Sequence, residues 1–185
     1  DTIGDGTNDG GTGTWDAATT NWSSTPWGLN TNWQSGVAVF GGASSGTVTV
    51  SGTQNFQGLQ FALDGYLLTG GTLNASNPSF ISVGAGLGAG IGSDITGGTI
   101  AKQGTGDLGL GGTNSFASLD VQAGTVSVYS NTALGAGTAT FAGGTTLFTD
   151  GLQCRGRFKC FSGENHTGTH AYTSKDRQNH TEAVV

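Results

Sequence analysis

Positive charge is almost missing from the first 150 residues of this 185-residue chain, where Lys102 stands alone against nine Asp. Glu, His, Cys and Arg are absent from the same stretch, and Met from the whole chain. Without His or Cys, that stretch has no imidazole base and no thiol nucleophile. Its net charge of −8 repels nucleic acid and anionic lipid. No run of about 18 apolar residues occurs, which excludes a membrane-spanning helix. No signal peptide is visible, and Asp1 reads as a mature end or an arbitrary cut. The lack of Cys suits a secreted protein that crosses an oxidising compartment.

Glycine is abundant instead, at 36 residues, while charged residues make up only 10%. Disorder with such a composition goes with few β-branched and aromatic residues. Here Thr, Val, Ile, Leu and Phe recur in short alternating runs and four Trp are present, the pattern of strands between tight turns. A Gly-Thr-apolar step recurs at Gly46-Thr47-Val48, Gly71-Thr72-Leu73, Gly98-Thr99-Ile100 and Gly124-Thr125-Val126, with separations of 25, 27 and 26 residues. Gly144-Thr145-Thr146-Leu147 follows 20 residues later with one residue inserted. Periods in this range mark solenoids. Glycine turns the chain at each corner and the following residues enter a strand with alternating faces. Stacking the copies predicts an inward column of Val48, Leu73, Ile100 and Val126 and an outward one of Thr47, Thr72, Thr99 and Thr125. Further strands are expected at Phe56–Phe61, Tyr66–Leu68, Phe80–Val83, Leu119–Val121 and Val126–Val128. Five or six turns would make a rod of about 25–30 Å. A β-sandwich of ordinary hairpins has no reason to keep a 26-residue rhythm.

The stretch Ile100-Ala-Lys102-Gln-Gly104-Thr-Gly106-Asp-Leu108-Gly-Leu110-Gly-Gly112-Thr-Asn114-Ser-Phe116, followed by Leu119–Val121 and Gly124-Thr125-Val126, resembles the autotransporter-associated β-strand repeat. Ala133-Leu134-Gly135 leading to Gly143-Gly144 and Leu147 is similar to that family's continuation, and Gly13-Thr14-Trp15, Asn21-Trp22 and Asn32-Trp33 to its N-terminal segment. The likeness covers residues 11–148. Gln103 stands where Thr is usual, and Ala117 where Gly is. The resemblance implies an all-β, right-handed parallel β-helix in the passenger of a type V secretion autotransporter, used as a stem that assists export. It also implies an outer-membrane barrel partner in the full-length protein, with no direct membrane insertion by this chain. Residues 1–45 are expected to form a Trp-containing cap, 46–148 the solenoid, and 149–185 an unrelated, poorly structured tail.

Net charge turns from −8 to +2 at that last boundary, where all three His and both Cys also appear. Lys175–Val185 is compatible with a DNA whose next frame encodes Lys-Thr-Gly-Lys-Thr-Thr-Leu-Lys-Leu-Trp. That would repeat the spacing of Lys102, Gly104, Leu108 and Leu110, so a frameshifted tail is the expectation. Cys154, Cys160, His166 and His170 offer zinc-type donors, but their spacing is not that of a finger. Asp5-Gly6-Thr7-Asn8-Asp9-Gly10, with Asp16 at the twelfth position, resembles a calcium loop yet has Thr at position three. No metal and no cofactor are expected.

Two functions rival that of a non-catalytic surface stem or adhesin. A carbohydrate-binding or polysaccharide-degrading β-helix is the first, and glycoside hydrolysis needs two carboxylates facing one cleft. The interior Asp64, Asp94, Asp107 and Asp120 are not paired two residues apart, and Lys102 is the sole cation beside them. No catalytic residue is assigned. An ice-binding solenoid needs a regular Thr array, but Thr47 and Thr49 are not matched in the other copies. Trp15, Trp22, Trp27 and Trp33 suit either sugar stacking or, preferably, closure of the solenoid's end. Surface glycans or proteins are the expected partners, at the bacterial cell surface or secreted.

Overall fold

The structure is a computed structural model and describes residues 8–25 and 28–149, together with the backbone of His166–Thr167 and His170–Tyr172. Short strands follow one another along the chain: β1 (Gly13–Trp15), β2 (Val37–Phe40), β3 (Thr47–Val50), β4 (Thr53–Phe61), β5 (Tyr66–Thr69), β6 (Thr72–Val83) and β7 (Gly88–Ile91). Then come β8 (Asp94–Gly97), β9 (Thr99–Gln103), β10 (Asp107–Leu110), β11 (Ser118–Val121), β12 (Thr125–Val128), β13 (Thr138–Phe141) and β14 (Thr146–Thr149). Two short pieces, β15 (His166–Thr167) and β16 (His170–Tyr172), complete the set.

Each turn of chain contributes one strand to each of two sheets. The first runs β1-β3-β5-β7-β10-β12-β14 and the second β2-β4-β6-β9-β11-β13, with parallel pairing throughout. Parallel neighbours joined by long crossovers exclude the sandwich of hairpins. The 12-residue β6 serves two faces: Thr72–Ala75 pairs with β8, and Ser79–Ser82 with β9. A cis Asn77–Pro78 peptide lies between the two halves. The solenoid is therefore all-β and parallel, as the repeats and the family resemblance led one to expect.

The interior is built from columns that run through the rungs. In the first sheet Tyr66, Ala89, Leu108, Val126 and Leu147 stand in register, as do Val48, Leu68, Ile91, Leu110 and Val128. In the second, Ala38, Leu59, Ile81, Lys102, Val121 and Phe141 align. All of these residues are buried. A strand of four residues presents two side chains inward, too few for a core by itself. Burial comes from the rungs above and below.

The register corrects one expectation. Val48 and Val126 lie in the first sheet, in different columns, while Leu73 and Ile100 lie in the second. Thr47, Thr72, Thr99 and Thr125 are divided in the same way and form no single outward column. Paired positions are 18 residues apart at Asp107 and Thr125, 20 at Thr47 and Leu67, 21 at Thr125 and Thr146, and 23 at Tyr66 and Ala89. The 25- to 27-residue rhythm is thus longer than one rung. Both sheets need a glycine corner followed by a strand, so the same Gly-Thr-apolar step serves at either place.

β15 and β16 pair antiparallel with β14 and β13. The proposed frameshift and the tail's poor structure otherwise fall on residues outside those described, as do Cys154 and Cys160.

Candidate functional site

Three places hold the residues singled out by sequence: a glycine corner around Lys102, the N-terminal aromatic end, and the outward faces where the Asp residues lie.

Lys102 points inward from β9 and is fully buried. Its ammonium donates to the carbonyls of Gly104 (2.8 Å), Gly106 (3.1 Å) and Ala123 (3.0 Å). A buried charge must find such partners. Burial pushes its pKa down to about 8, against the opposing pull of the Asp107 carboxylate. Gly104 makes the corner possible: it has φ 72°, and a Cβ there would run into the Val83 carbonyl. The motif lysine thus fastens the turn of its own rung to the next. It is not presented to solvent for chemistry.

At the N-terminal end, Trp15 is fully buried and its ring lies 5.0 Å from both Trp22 and Trp33. Phe40 continues the cluster, 5.8 Å from Trp15, and stacks on Phe61 at 5.0 Å. Edge and tilted contacts of this kind are favourable beyond the area they bury. Trp33 Nε1 donates to the Asn55 carbonyl at 2.8 Å. Trp22 and Trp33 pack on the core while keeping part of their surface outside, and they line a cleft of about 480 Å³ with Asn21, Asn32 and Val39. Trp27 lies outside the described residues.

The four interior carboxylates each fasten one rung to the next. Asp64 accepts from Gly88 N at 2.6 Å and Asp94 from Thr113 N at 2.6 Å. Asp107 accepts from Ser127 Oγ at 3.0 and 3.2 Å, and Asp120 from Thr140 Oγ1 at 2.8 Å. Asn114, the motif asparagine, acts in the same way from a buried position. Its Oδ1 accepts from Ile95 N (2.8 Å) and its Nδ2 donates to the Ala133 carbonyl (2.6 Å). Phe116 of the same motif is buried in the core. These tie roles were not read from the sequence; the recurrence of polar residues about one rung apart was the available signal.

Asp16 is engaged locally, accepting from Ala18 N, Thr19 N and Thr19 Oγ1, and these bonds lower its pKa. Asp5 lies outside the described residues. Among the described residues no three acidic, His or Cys side chains converge on a metal position. No Thr array runs the length of the first sheet: one outward column reads Thr47, Leu67, Gly90, Gly109, Ser127, Phe148, and a second stacks Thr14, Thr49 and Thr69 over three rungs only.

A parallel stack of short rungs, cornered by glycine and carrying the Lys102–Phe116 motif, fits an autotransporter passenger. The chain is similar to the adhesin BmaC autotransporter of Brucella suis biovar 1 (strain 1330), with 33% identity over 136 residues. The match takes in 69% of this chain and 4% of that much longer protein. No family model matches, and no solved structure matches.

Proposed function

We propose that the chain is a non-catalytic stretch of an adhesive passenger, exported and displayed at the bacterial surface by an outer-membrane barrel belonging to the full-length protein. The observation that carries this reading is the use of the charged side chains. Lys102 and the four interior Asp are engaged in holding one rung to another. A polysaccharide-cleaving site needs an acid and a base or nucleophile facing one bond, and Asp94 and Asp120 serve a different sheet from Asp64 and Asp107. The similarity to a protein named as an adhesin supports adhesion as the activity. In this reading residues 1–45 cap the rod, 46–148 form its shaft and 149–185 are unrelated to it.

Beads coated with the 185-residue chain should adhere to epithelial cells and to deposited matrix above the level of albumin-coated beads. The same chain should release no reducing ends from a panel of neutral and acidic polysaccharides. Polysaccharide cleavage that disappears in Asp107→Asn would replace the stem reading with a catalytic one.

A further inference from the structure

The outward face of the first sheet is interrupted where two adjacent rungs both place glycine outward. Gly90 and Gly109 pair directly, with Leu67 on one side of them and Ser127 on the other. A Cβ at Gly90 would sit 2.9 Å from Leu67 Cδ1, and one at Gly109 would sit 2.9 Å from Tyr129 Cε2. The missing side chains therefore leave room into which Leu67 and Tyr129 lean. Glycine inside a strand often marks a place where another group approaches the backbone closely. Leu67 is 40% and Tyr129 58% exposed, so both keep apolar surface in water. Asp64 and Asp107 complete a shallow cavity of about 360 Å³, at the lower end of the range for small-molecule sites.

Both carboxylates are held in fixed orientations. Asp64 takes the Gly88 N–H, and Asp107 takes the hydroxyl of buried Ser127. A carboxylate accepts about four hydrogen bonds, so each retains acceptor capacity. The notch thus sets an aromatic and aliphatic wall beside two oriented acceptors. A pyranose ring has the complementary surface, with C–H groups on one face and donating hydroxyls along its edge. Charge narrows the class further. Residues 1–150 carry −8, and Lys102, the one cation among them, is turned inward, so an anionic sugar is repelled. The equivalent outward positions on other rungs hold Thr47, Ser127 and Phe148, which confines the notch to two rungs and to a small ligand.

We infer that the Leu67–Gly90–Gly109–Tyr129 notch, with Asp64 and Asp107 on its rim, binds a neutral saccharide. The inference rests on the adhesive reading above and gives that reading a contact point. The experiment is a glycan array carrying neutral oligosaccharides and their sialylated counterparts, probed with the 185-residue chain and followed by titration with the free form of the best-retained neutral sugar. Retention of neutral and not sialylated glycans is expected. Tyr129→Ala should weaken binding at least tenfold with unchanged circular dichroism and melting temperature, and Asp107→Asn should weaken it as much with unchanged circular dichroism, while Tyr129→Phe retains it. Absence of any neutral hit, hits that persist in both weakening variants, or capture of Lys- and Arg-rich peptides in place of sugars would each overturn the inference. Bead adhesion to cells that survives Tyr129→Ala would remove this site and leave the adhesive reading standing. Loss of both cell adhesion and glycan binding in the wild-type chain would remove both.

Discussion

Trp15, Phe40 and Phe61 fill the interior at the N-terminal end of the rod, where Ile91, Leu108 and Val126 fill it in the middle. The change of side chain follows a change of neighbours. A middle rung has a rung on either side, so two short aliphatic groups per strand suffice to close the core. β1 and β2 are the outermost strands of their sheets and have a neighbour on one side only. There the 21-residue connection from Asp16 to Gly36 folds two further indoles against Trp15, and large rings cover what a missing rung would have covered. Buried polar groups differ in part between the two. The middle is laced by Asp94, Asn114, Asp120 and Lys102 from rung to rung, whereas at the end Trp15 Nε1 and Trp22 Nε1 have no acceptor among the described residues. Both places have ties, at the end Trp33 Nε1 to the Asn55 carbonyl and the Tyr66 hydroxyl to that of Gly41, but only the end relies on a cluster of large rings.

The strongest way to break this contrast is to remove one large group from each region. Trp15→Ala should lower stability in urea melts by about 3–5 kcal/mol, and Leu108→Ala by about 2–5 kcal/mol. Hydrogen exchange should locate the first loss in β1 to β3 and the second in strands on both sides of β10. Equal spreading of the two would contradict an end held by its own packing. Asn114→Ala should cost about 1–3 kcal/mol, because it strands the Ile95 N–H and the Ala133 carbonyl. Lys102→Met should cost less, about 1–2 kcal/mol, since three carbonyls lose a donor while a buried charge is relieved. A net gain in stability would mean that the corner does not need its lysine.

A separate effect is on the pH profile. The folded pKa of Lys102, about 8, lies below its ordinary 10.5, so between these values the unfolded chain binds more protons and stability rises with pH. Tyr66, whose hydroxyl donates to the Gly41 carbonyl at 2.7 Å, has its pKa raised by burial above the ordinary 10. Above pH 10 its ionisation favours the unfolded chain and opposes the rise. Chemical melts from pH 7 to 11 should therefore climb from about pH 8 and turn over above about pH 10. Lys102→Met should flatten the climb and leave the downturn.

Much of this fold is legible in the residues. Apolar runs at Phe56–Phe61, Tyr66–Leu68, Leu119–Val121 and Val126–Val128 place each of those strands; the last three bury their inward members as alternation requires, while a register shift between Phe56 and Gly58 lets Phe56, Leu59 and Phe61 all face inward. Rung length is not legible from the Gly-Thr step, because one local solution, a glycine corner leading into a strand, is used at both sheets. Spacing between copies then mixes whole rungs with part-rungs. Lys102 is hard to read for another reason. A lone lysine in an acidic chain looks like a surface charge, and its burial depends on carbonyls that converge only once Gly104, Gly106 and Ala123 are brought to one corner. The Leu67–Tyr129 notch lies further still from the sequence, since its walls are 62 positions apart and its floor is two residues with no side chain.

The direct pairing of Asp107 with Thr125 has a bearing on length. Each of the two follows a glycine, Gly106 and Gly124. Excising residues 107–124 would join Gly106 to Thr125 at the position Asp107 now holds, opposite Gly88. Ser118, which pairs with Thr99, would leave with the excised segment, and Thr138, now stacked on Ser118, would descend to Thr99. Every remaining strand keeps its phase. A shaft of this kind changes length in whole steps of about 4.8 Å by loss or duplication of one coding segment, so its reach is a quantity that recombination can adjust without moving the remaining strands out of phase.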